Sequence, residues 1–117
     1  MIDRALVIAD PWIDLILSGQ KTWEMRSRRT NIRGKIGLIR KGSGLIVGEC
    51  EIVDCWSHCF THEDLVGHHD KHMIDDADML RKWPVVWVIK NAIKWSHPKP
   101  YKHPPGAVSW VKIGDGI

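Results

Sequence analysis

The sequence predicts an α+β domain: a small, mostly antiparallel β-barrel with two to three short helices packed at its side. Two observations carry this prediction: strand-like segments outnumber helix-like segments, and the connections between them are short. Composition supports it, because hydrophobic residues make up 44% of the 117 residues and charged residues 26%, which is typical of a chain with one core. We therefore expect a single domain over residues 1–117.

The first half of the chain predicts a strand, a helix and three more strands. Arg4–Ala9 is a short apolar run typical of a buried strand. Asp10 suits the N-cap of the following helix, Pro11 its first position, and Gly19 the residue beyond its end. The apolar face of this helix is expected to comprise Trp12, Leu15 and Ile16. The later segments are strand Lys21–Arg26, basic turn Ser27–Gly34, strand Lys35–Arg40, tight turn Lys41–Gly44 and strand Leu45–Trp56.

The second half predicts two short helices and two strands. Gly48 is expected to bulge or bend the long strand before them. Thr61 and Asp64 have the spacing of a capping box, which predicts a helix to about Gly67. Ser96–Pro105 holds four prolines and is not expected to be a central strand. The other predicted elements are helix Asp75–Lys82, strand Val85–Ile89 with Lys90–Trp95 extending or bending it, and closing strand Val108–Ile113.

Composition also predicts where the protein resides and what it can meet. No apolar run approaches the roughly 18 residues of a membrane helix. The N-terminus has Asp3 where a signal peptide has a base, and its apolar stretch stops at Asp10. The three cysteines form a poor disulfide framework. We expect a cytoplasmic protein with no membrane partner, whose net charge of +3 permits a phosphate-bearing partner without requiring one.

The residues Gly19-Gln-Lys-Thr-Trp-Glu-Met-Arg26 place three charges where a helix passes into a strand. We expect Lys21, Glu24 and Arg26 to converge on one cleft beside the helix that begins at Pro11. The two cations would hold phosphate or a base carbonyl, and Glu24 would accept from an exocyclic amine such as that of cytosine. The alternative is an ion-paired strand exposed to solvent. As a residue at a strand edge, Lys21 is expected to lie outside the core.

The same residues resemble the signature of the ASCH domain family. The similarity begins with Pro11-Trp12 and continues with Ile16-Leu17-x-Gly19-x-Lys21-x-x-Glu24-x-Arg26, in which Gly-x-Lys-x-x-Glu-x-Arg is matched at every fixed position. It extends through Asp70-Lys-His72 to Gly106-Ala-Val-Ser-Trp-Val-Lys, over nearly the whole chain. The chain is most similar to small bacterial single-domain members.

This resemblance implies a PUA-like β-barrel that holds RNA or a nucleotide in a polar cleft beside the first helix. It also implies an alternative, a metal-independent hydrolase acting on RNA or on N4-acylated cytidine, with Lys21 and Glu24 as its catalytic residues. The deacylating relatives have a threonine nucleophile where this chain has Glu24, which argues against that activity. Thr22 is close in sequence but is expected to point away from Lys21. A third interpretation is a protein-interaction adaptor anchored by exposed tryptophans.

Candidate site residues fall into three groups. The predicted ligand-binding residues are Pro11, Trp12, Lys21, Trp23, Glu24, Arg26 and Tyr101. Residues 26–41 contain seven bases and no acid, and from them the predicted nucleic-acid backbone contacts are Arg28, Arg29, Arg33 and Lys41. The residues expected to form a lid are His72 and His103. Trp87 and Trp110 are expected to be structural.

The segment from Cys55 to His72 is rich in metal-ligand residue types. Its members are Cys55, His58, Cys59, His62, His68, His69 and His72. Cys55, Cys59 and His62 have a spacing that loosely fits a zinc site, but no second pair of zinc ligands with such a spacing follows. We therefore expect neither a metal nor a cofactor.

Overall fold

The computed structural model describes residues 2–114, which form a curled six-stranded sheet with four short helices. The strands are β1 (Arg4–Ile8), β2 (Trp23–Arg26), β3 (Gly34–Arg40), β4 (Leu45–Trp56), β5 (Val85–Pro100) and β6 (Trp110–Lys112). The helices are α1 (Trp12–Leu17), α2 (His62–Gly67), α3 (His69–His72) and α4 (Ala77–Lys82). None of these helices is long and apolar enough to cross a membrane.

The strand order is β2-β5-β4-β3-β1-β6. β1 runs parallel to β3, and the other four pairings between the described strands are antiparallel. The predicted α+β class and the mostly antiparallel, barrel-like sheet are therefore confirmed. The domain has one more helix than expected, because a single helical turn, α3, follows α2 directly.

The start of α1 differs from the prediction. Asp10 does not cap the helix: its carboxylate accepts a hydrogen bond from Arg40, and the Asp10–Pro11 peptide is cis. The helix begins at Trp12, with Pro11 at the N-cap position and no side-chain cap. Its end is as predicted: Gly19 has φ +84° and its N–H donates to the carbonyl of Ile16.

The buried face of α1 also differs by one position. The fully buried residues are Ile13, Ile16 and Leu17, whereas Trp12 and Leu15 are only half-buried. The three buried side chains pack against the inner face of the sheet. This rotation leaves Trp12 at the boundary between two hydrophobic clusters, where it borders open space.

β2 begins two residues later than predicted. Lys21 and Thr22 form an irregular approach to it: the Lys21 N–H donates to Leu15 and the Thr22 N–H donates to Lys71. Regular pairing with β5 starts at Trp23, opposite Val88. Because strand alternation applies only from Trp23 onward, the Lys21 side chain is free to point to the same side as later even-numbered residues.

β5 is longer than predicted and is paired on one side over its distal half. Its pairing with β2 ends at Val88, while its pairing with β4 continues to Pro100. The register passes from Gly48 opposite Lys94 to Ile46 opposite Lys99, so β5 uses five residues where β4 uses two. The irregularity expected at Gly48 is therefore present. The prolines of this segment lie on an edge, where a missing N–H is tolerated.

We expect Gly48→Ala to lower the free energy of unfolding by about 1–3 kcal/mol, the usual range for overpacking. A Cβ at Gly48 would lie 2.5 Å from both the Ile93 carbonyl oxygen and Leu17 Cδ2. Gly67→Ala is the matched control, since a Cβ there meets nothing within 4 Å. Urea denaturation measures both. Equal stability of the two variants would contradict the close approach of α1 and β5 at Gly48.

Candidate functional site

A cavity of about 240 Å³ opens where the end of β1, the start of α1 and β2 meet. Its polar lining is contributed by Lys21, Glu24, Arg26 and Lys41. Its remaining lining residues are Val7, Ile8, Ala9, Trp12, Met25, Ile74, Trp83 and Val108. The structure therefore brings the three motif charges together beside α1, and Lys41 lies at the same opening.

Lys21 lies at the bottom of this cavity and is buried, with only 1% of its surface exposed. The expectation that it lies outside the core is wrong, because the irregular approach to β2 turns the side chain inward. Its Nζ donates a hydrogen bond to the main-chain carbonyl of His72 at 2.5 Å. A buried ammonium needs such partners, since desolvation penalises an unpaired charge.

Glu24 and Arg26 form a two-point ion pair on the same face of β2. Glu24 Oε2 accepts from Arg26 Nε at 3.0 Å and lies 2.9 Å from Nη2. The two residues share a face because side chains alternate along a strand. The other carboxylate oxygen, Oε1, lies 3.9 Å from Lys21 Nζ. Glu24 therefore lies between two cations and is itself only 7% exposed.

Most of the N–H donors of Arg26 have partners within the protein. Nη2 also donates to the Val7 carbonyl at 3.0 Å, and Nη1 donates to Ser109 Oγ at 3.4 Å. The guanidinium carbon lies 5.4 Å from the centre of the Trp87 ring. Arg26 thus ties β2 to β1 and to the segment before β6, and its geometry suits holding Glu24 in place.

The pKa of Lys21 is lowered to about 8. Burial of the ammonium is the main cause; Glu24 opposes the shift and Arg26 adds to it. The pKa of Lys21 is therefore closer to neutral pH than the pKa of an exposed lysine. A lysine in this range serves equally as a charged donor and as a proton acceptor.

His72 supports Lys21 from below. It is fully buried; its Nε2 lies 2.6 Å from the Leu65 carbonyl, and its Nδ1 accepts from the Ile74 N–H at 2.9 Å. These contacts fix the α3 turn whose carbonyl receives the lysine. Burial lowers the pKa of His72, which favours the neutral ring. This position beneath the cavity differs from the lid position expected from the sequence.

Two tryptophans border the cavity, and one of them was not anticipated. Trp12 and Trp83 meet edge to face, with ring centroids 6.5 Å apart. Trp23 instead faces the other side of β2, where its ring lies near those of Trp56 and Phe60. The two-residue period of a strand already separates Trp23 from Glu24, so this outcome was accessible from the sequence. Nothing local signals Trp83.

None of the seven tryptophans, all within the described chain, is exposed. Each is buried or half-buried in one of the hydrophobic clusters or against their edges. The adaptor interpretation rests on exposed tryptophan anchors. The structure therefore removes the feature that favoured it.

Several other predicted site residues lie outside the cavity lining. Pro11 is exposed, and Thr22 is half-buried in the approach to β2. Tyr101 packs on the opposite face of the sheet. His103 is exposed, with Nδ1 2.6 Å from the Tyr101 hydroxyl and Nε2 2.7 Å from the Ala107 carbonyl.

The basic segment contains side chains paired with carboxylates and exposed side chains that form no salt bridge with the described acids. Arg40 is held by the carboxylates of Asp10 and Asp14, and Lys35 lies 3.8 Å from a carboxylate oxygen of Glu49. The exposed members outside such pairs and away from the cavity are Arg28, Arg29 and Arg33. Of these, Arg33 donates from Nη1 to the carbonyls of Thr30 and Ile32. Of the four predicted backbone contacts, Lys41 is the one that lines the cavity.

The cysteines and histidines of the Cys55–His72 segment are dispersed. Cys55 is buried in the main core and Cys59 is exposed, while His72 lies beneath Lys21. Across residues 2–114, no three His, Cys, Asp or Glu side chains are grouped so that they could hold a metal ion.

We expect the stability of the wild type relative to Lys21→Met to increase between pH 8 and about 10.5. The folded pKa is about 8 and the ordinary value is 10.5, so within this range unfolding takes up a proton and rising pH opposes it. The full change is up to about 3 kcal/mol. Urea titrations at several pH values measure it. The exposed Lys71→Met is the control, and an equal pH response in both variants would contradict the lowered pKa.

Comparison with known proteins agrees with the fold. The ASCH domain family model matches residues 6–99. No curated protein matches the sequence. The crystal structure of ASCH from Zymomonas mobilis is similar in fold, with a TM-score of 0.73 at 12% identity over 96% of this chain and 87% of that one. A mutant form of the same Zymomonas mobilis protein gives 0.74 at 11% identity over 98% and 92%. Since the family match covers most of the described sequence, the chain belongs to the ASCH domain family.

Proposed function

We propose that this ASCH domain binds RNA or a nucleotide by placing one base in the cavity between α1 and β2. The observation that carries the proposal is the meeting of Lys21 and Glu24 at the bottom of the cavity, both buried and both with hydrogen-bonding capacity left. The family supports it, because ASCH domains are PUA-like domains that generally bind RNA.

The pair offers a donor and an acceptor side by side. An ammonium has three N–H donors, and the His72 carbonyl uses one of them. Glu24 Oε1 lies 3.9 Å from Lys21 Nζ, beyond hydrogen-bonding distance, so it can accept from a ligand. A base edge with an exocyclic amine next to a ring nitrogen or carbonyl, such as that of cytosine, complements this arrangement.

The rest of the cavity suits a flat, anionic ligand. Its volume of about 240 Å³ lies below the roughly 300–1,000 Å³ of pockets for drug-sized molecules, which fits one base or nucleoside. Trp12 and Trp83 offer aromatic surface, and a base stacked on such a ring gains roughly 1–3 kcal/mol. Lys41 at the opening would meet a phosphate. The exposed side chains of Arg28, Arg29 and Arg33 would contact the backbone of a longer RNA.

We expect Lys21→Met to weaken binding of cytidine monophosphate about 10-fold or more, because a hydrogen bond to a charged group contributes about 1.5–3 kcal/mol. Methionine keeps the buried stem volume and removes the donor. Glu24→Gln should also weaken binding, since the amide is a poorer acceptor and loosens Arg26. Titration calorimetry at low salt measures the affinities.

Lys71→Met is the matched control, because it makes the same chemical change on an exposed side chain of α3. Its affinity should equal that of the wild type. If Lys21→Met and Lys71→Met bind cytidine monophosphate equally well, the cavity is not the binding site. A wild type that binds neither mononucleotides nor short RNA at low salt would contradict the proposed function itself.

A second candidate, hydrolysis of an N4-acylated cytidine, is favoured by the lowered pKa of Lys21. The neutral amine would accept a proton from water while the water oxygen attacks the acyl carbon. The carbon–nitrogen bond then breaks, and the proton passes from Lys21 to the departing cytidine amine. Glu24 would orient the lysine, and the step needs no metal.

If this reaction occurs, its rate should rise with pH and level off above about pH 8, where Lys21 is neutral. Chromatography of N4-acetylcytidine incubated with catalytic amounts of protein measures the release of cytidine. Lys21→Met should abolish turnover, and Lys71→Met should retain it. Absence of product from excess substrate at pH 9 would assign the cavity to binding alone.

A further inference from the structure

The C-terminal third of the chain carries a second concentration of positive charge. Residues 83–114 contain no aspartate or glutamate, and the next acid is Asp115. The same stretch contains five lysines: Lys90, Lys94, Lys99, Lys102 and Lys112. This charge is separate from the basic turn at residues 27–34, because it lies on the distal part of β5, on the loop that follows it and on β6.

Three of these lysines converge on one open depression. Lys99 lies near the end of β5, Lys102 follows Tyr101, and Lys112 ends β6; all line the same concave surface. They are brought together because Tyr101 packs with Val111 in the hydrophobic cluster beneath. All three lysines are exposed, and none forms a salt bridge with any acid in residues 2–114.

A braced loop connects this depression to the cavity. Tyr101 lines the depression, and its hydroxyl lies 2.6 Å from Nδ1 of His103. The other ring nitrogen of His103 lies 2.7 Å from the Ala107 carbonyl, which holds the loop closed on itself. Val108, 81% exposed, then lines the opening of the cavity, and Ser109 accepts from Arg26.

We infer that the depression formed by Lys99, Lys102 and Lys112 binds backbone phosphates of a single RNA strand whose recognised base occupies the cavity. This inference rests on the proposed function and specifies its ligand as an oligonucleotide. Lysines serve phosphates as unspecific point charges, so the depression adds affinity without reading sequence. The loop from Tyr101 leads to Val108 at the opening of the base-sized cavity, which favours a nucleic acid over other polyanions.

The test compares two double variants with the same charge change on the same segment. Lys99→Gln with Lys102→Gln removes two charges of the depression, and Lys90→Gln with Lys94→Gln removes two exposed charges of β5 outside it. Fluorescence anisotropy with a single-stranded RNA of about eight nucleotides, within the usual site size of small domains, measures affinity from 50 to 300 mM salt. The first variant should bind about tenfold more weakly at 100 mM salt. The slope of log affinity against log salt concentration should be smaller in magnitude by roughly 1.4 for this variant, since each phosphate contact to a single strand contributes about 0.7 to that slope.

Cytidine monophosphate separates this inference from the proposed function. Its affinity should be unchanged in the Lys99→Gln, Lys102→Gln variant and about 10-fold weaker or more in Lys21→Met. Equal RNA affinities and slopes in the two double variants would overturn the inference while leaving the cavity proposal intact. Loss of RNA binding in the depression variant with no effect of Lys21→Met would keep the depression as a phosphate site but overturn the proposed base site in the cavity, and with it the inference that one strand occupies both. Preferential binding of the wild type to phosphatidylserine vesicles over the RNA, abolished by the same variant, would also overturn the inference.

Discussion

The buried ammonium of Lys21 is the constraint around which the site is organised. A charge with almost no exposure must be paired, and its partners come from two parts of the chain. The His72 carbonyl holds it from α3, and the carboxylate of Glu24 faces it from β2. The buried ring of His72 fixes the turn that presents that carbonyl. Helix α3, the approach to β2 and the bottom of the cavity are therefore positioned by one interaction.

Charge balance explains why the cavity suits an anionic or electron-rich ligand. Lys21 and Arg26 share the single carboxylate of Glu24, which leaves the cluster with one net positive charge when the lysine is protonated. Arg26 has the closer ion pair with Glu24, and its guanidinium also donates to the Val7 carbonyl and to Ser109 Oγ. The positive charge that Glu24 does not compensate therefore lies mainly on Lys21, which faces the cavity. Lys41 at the opening adds a second positive charge.

The positions predicted correctly from the sequence are those set by neighbouring residues in the chain, such as the alternation of a strand and the end of a helix. The two-residue period put Glu24 and Arg26 on one face, and Gly19 ended α1 as predicted. Lys21 was placed outside the core, at a strand edge, because the start of β2 depends on a main-chain bond to Lys71, fifty residues away. Trp83 was missed for the same reason: it reaches Trp12 only once α4 joins the hydrophobic cluster that also contains residues of β2. Contacts between distant segments leave no local pattern.

The one-sided pairing of distal β5 has a consequence for self-association. Beyond Val88 the strand presents a row of main-chain groups along its free side, and such a row can template pairing with another copy of the chain. Here Pro98 and Pro100 remove donors, the register change twists the strand, and charged lysines line its length. Residues that look like strand breakers in the sequence thus protect an open edge from aggregation while the strand itself remains in the sheet.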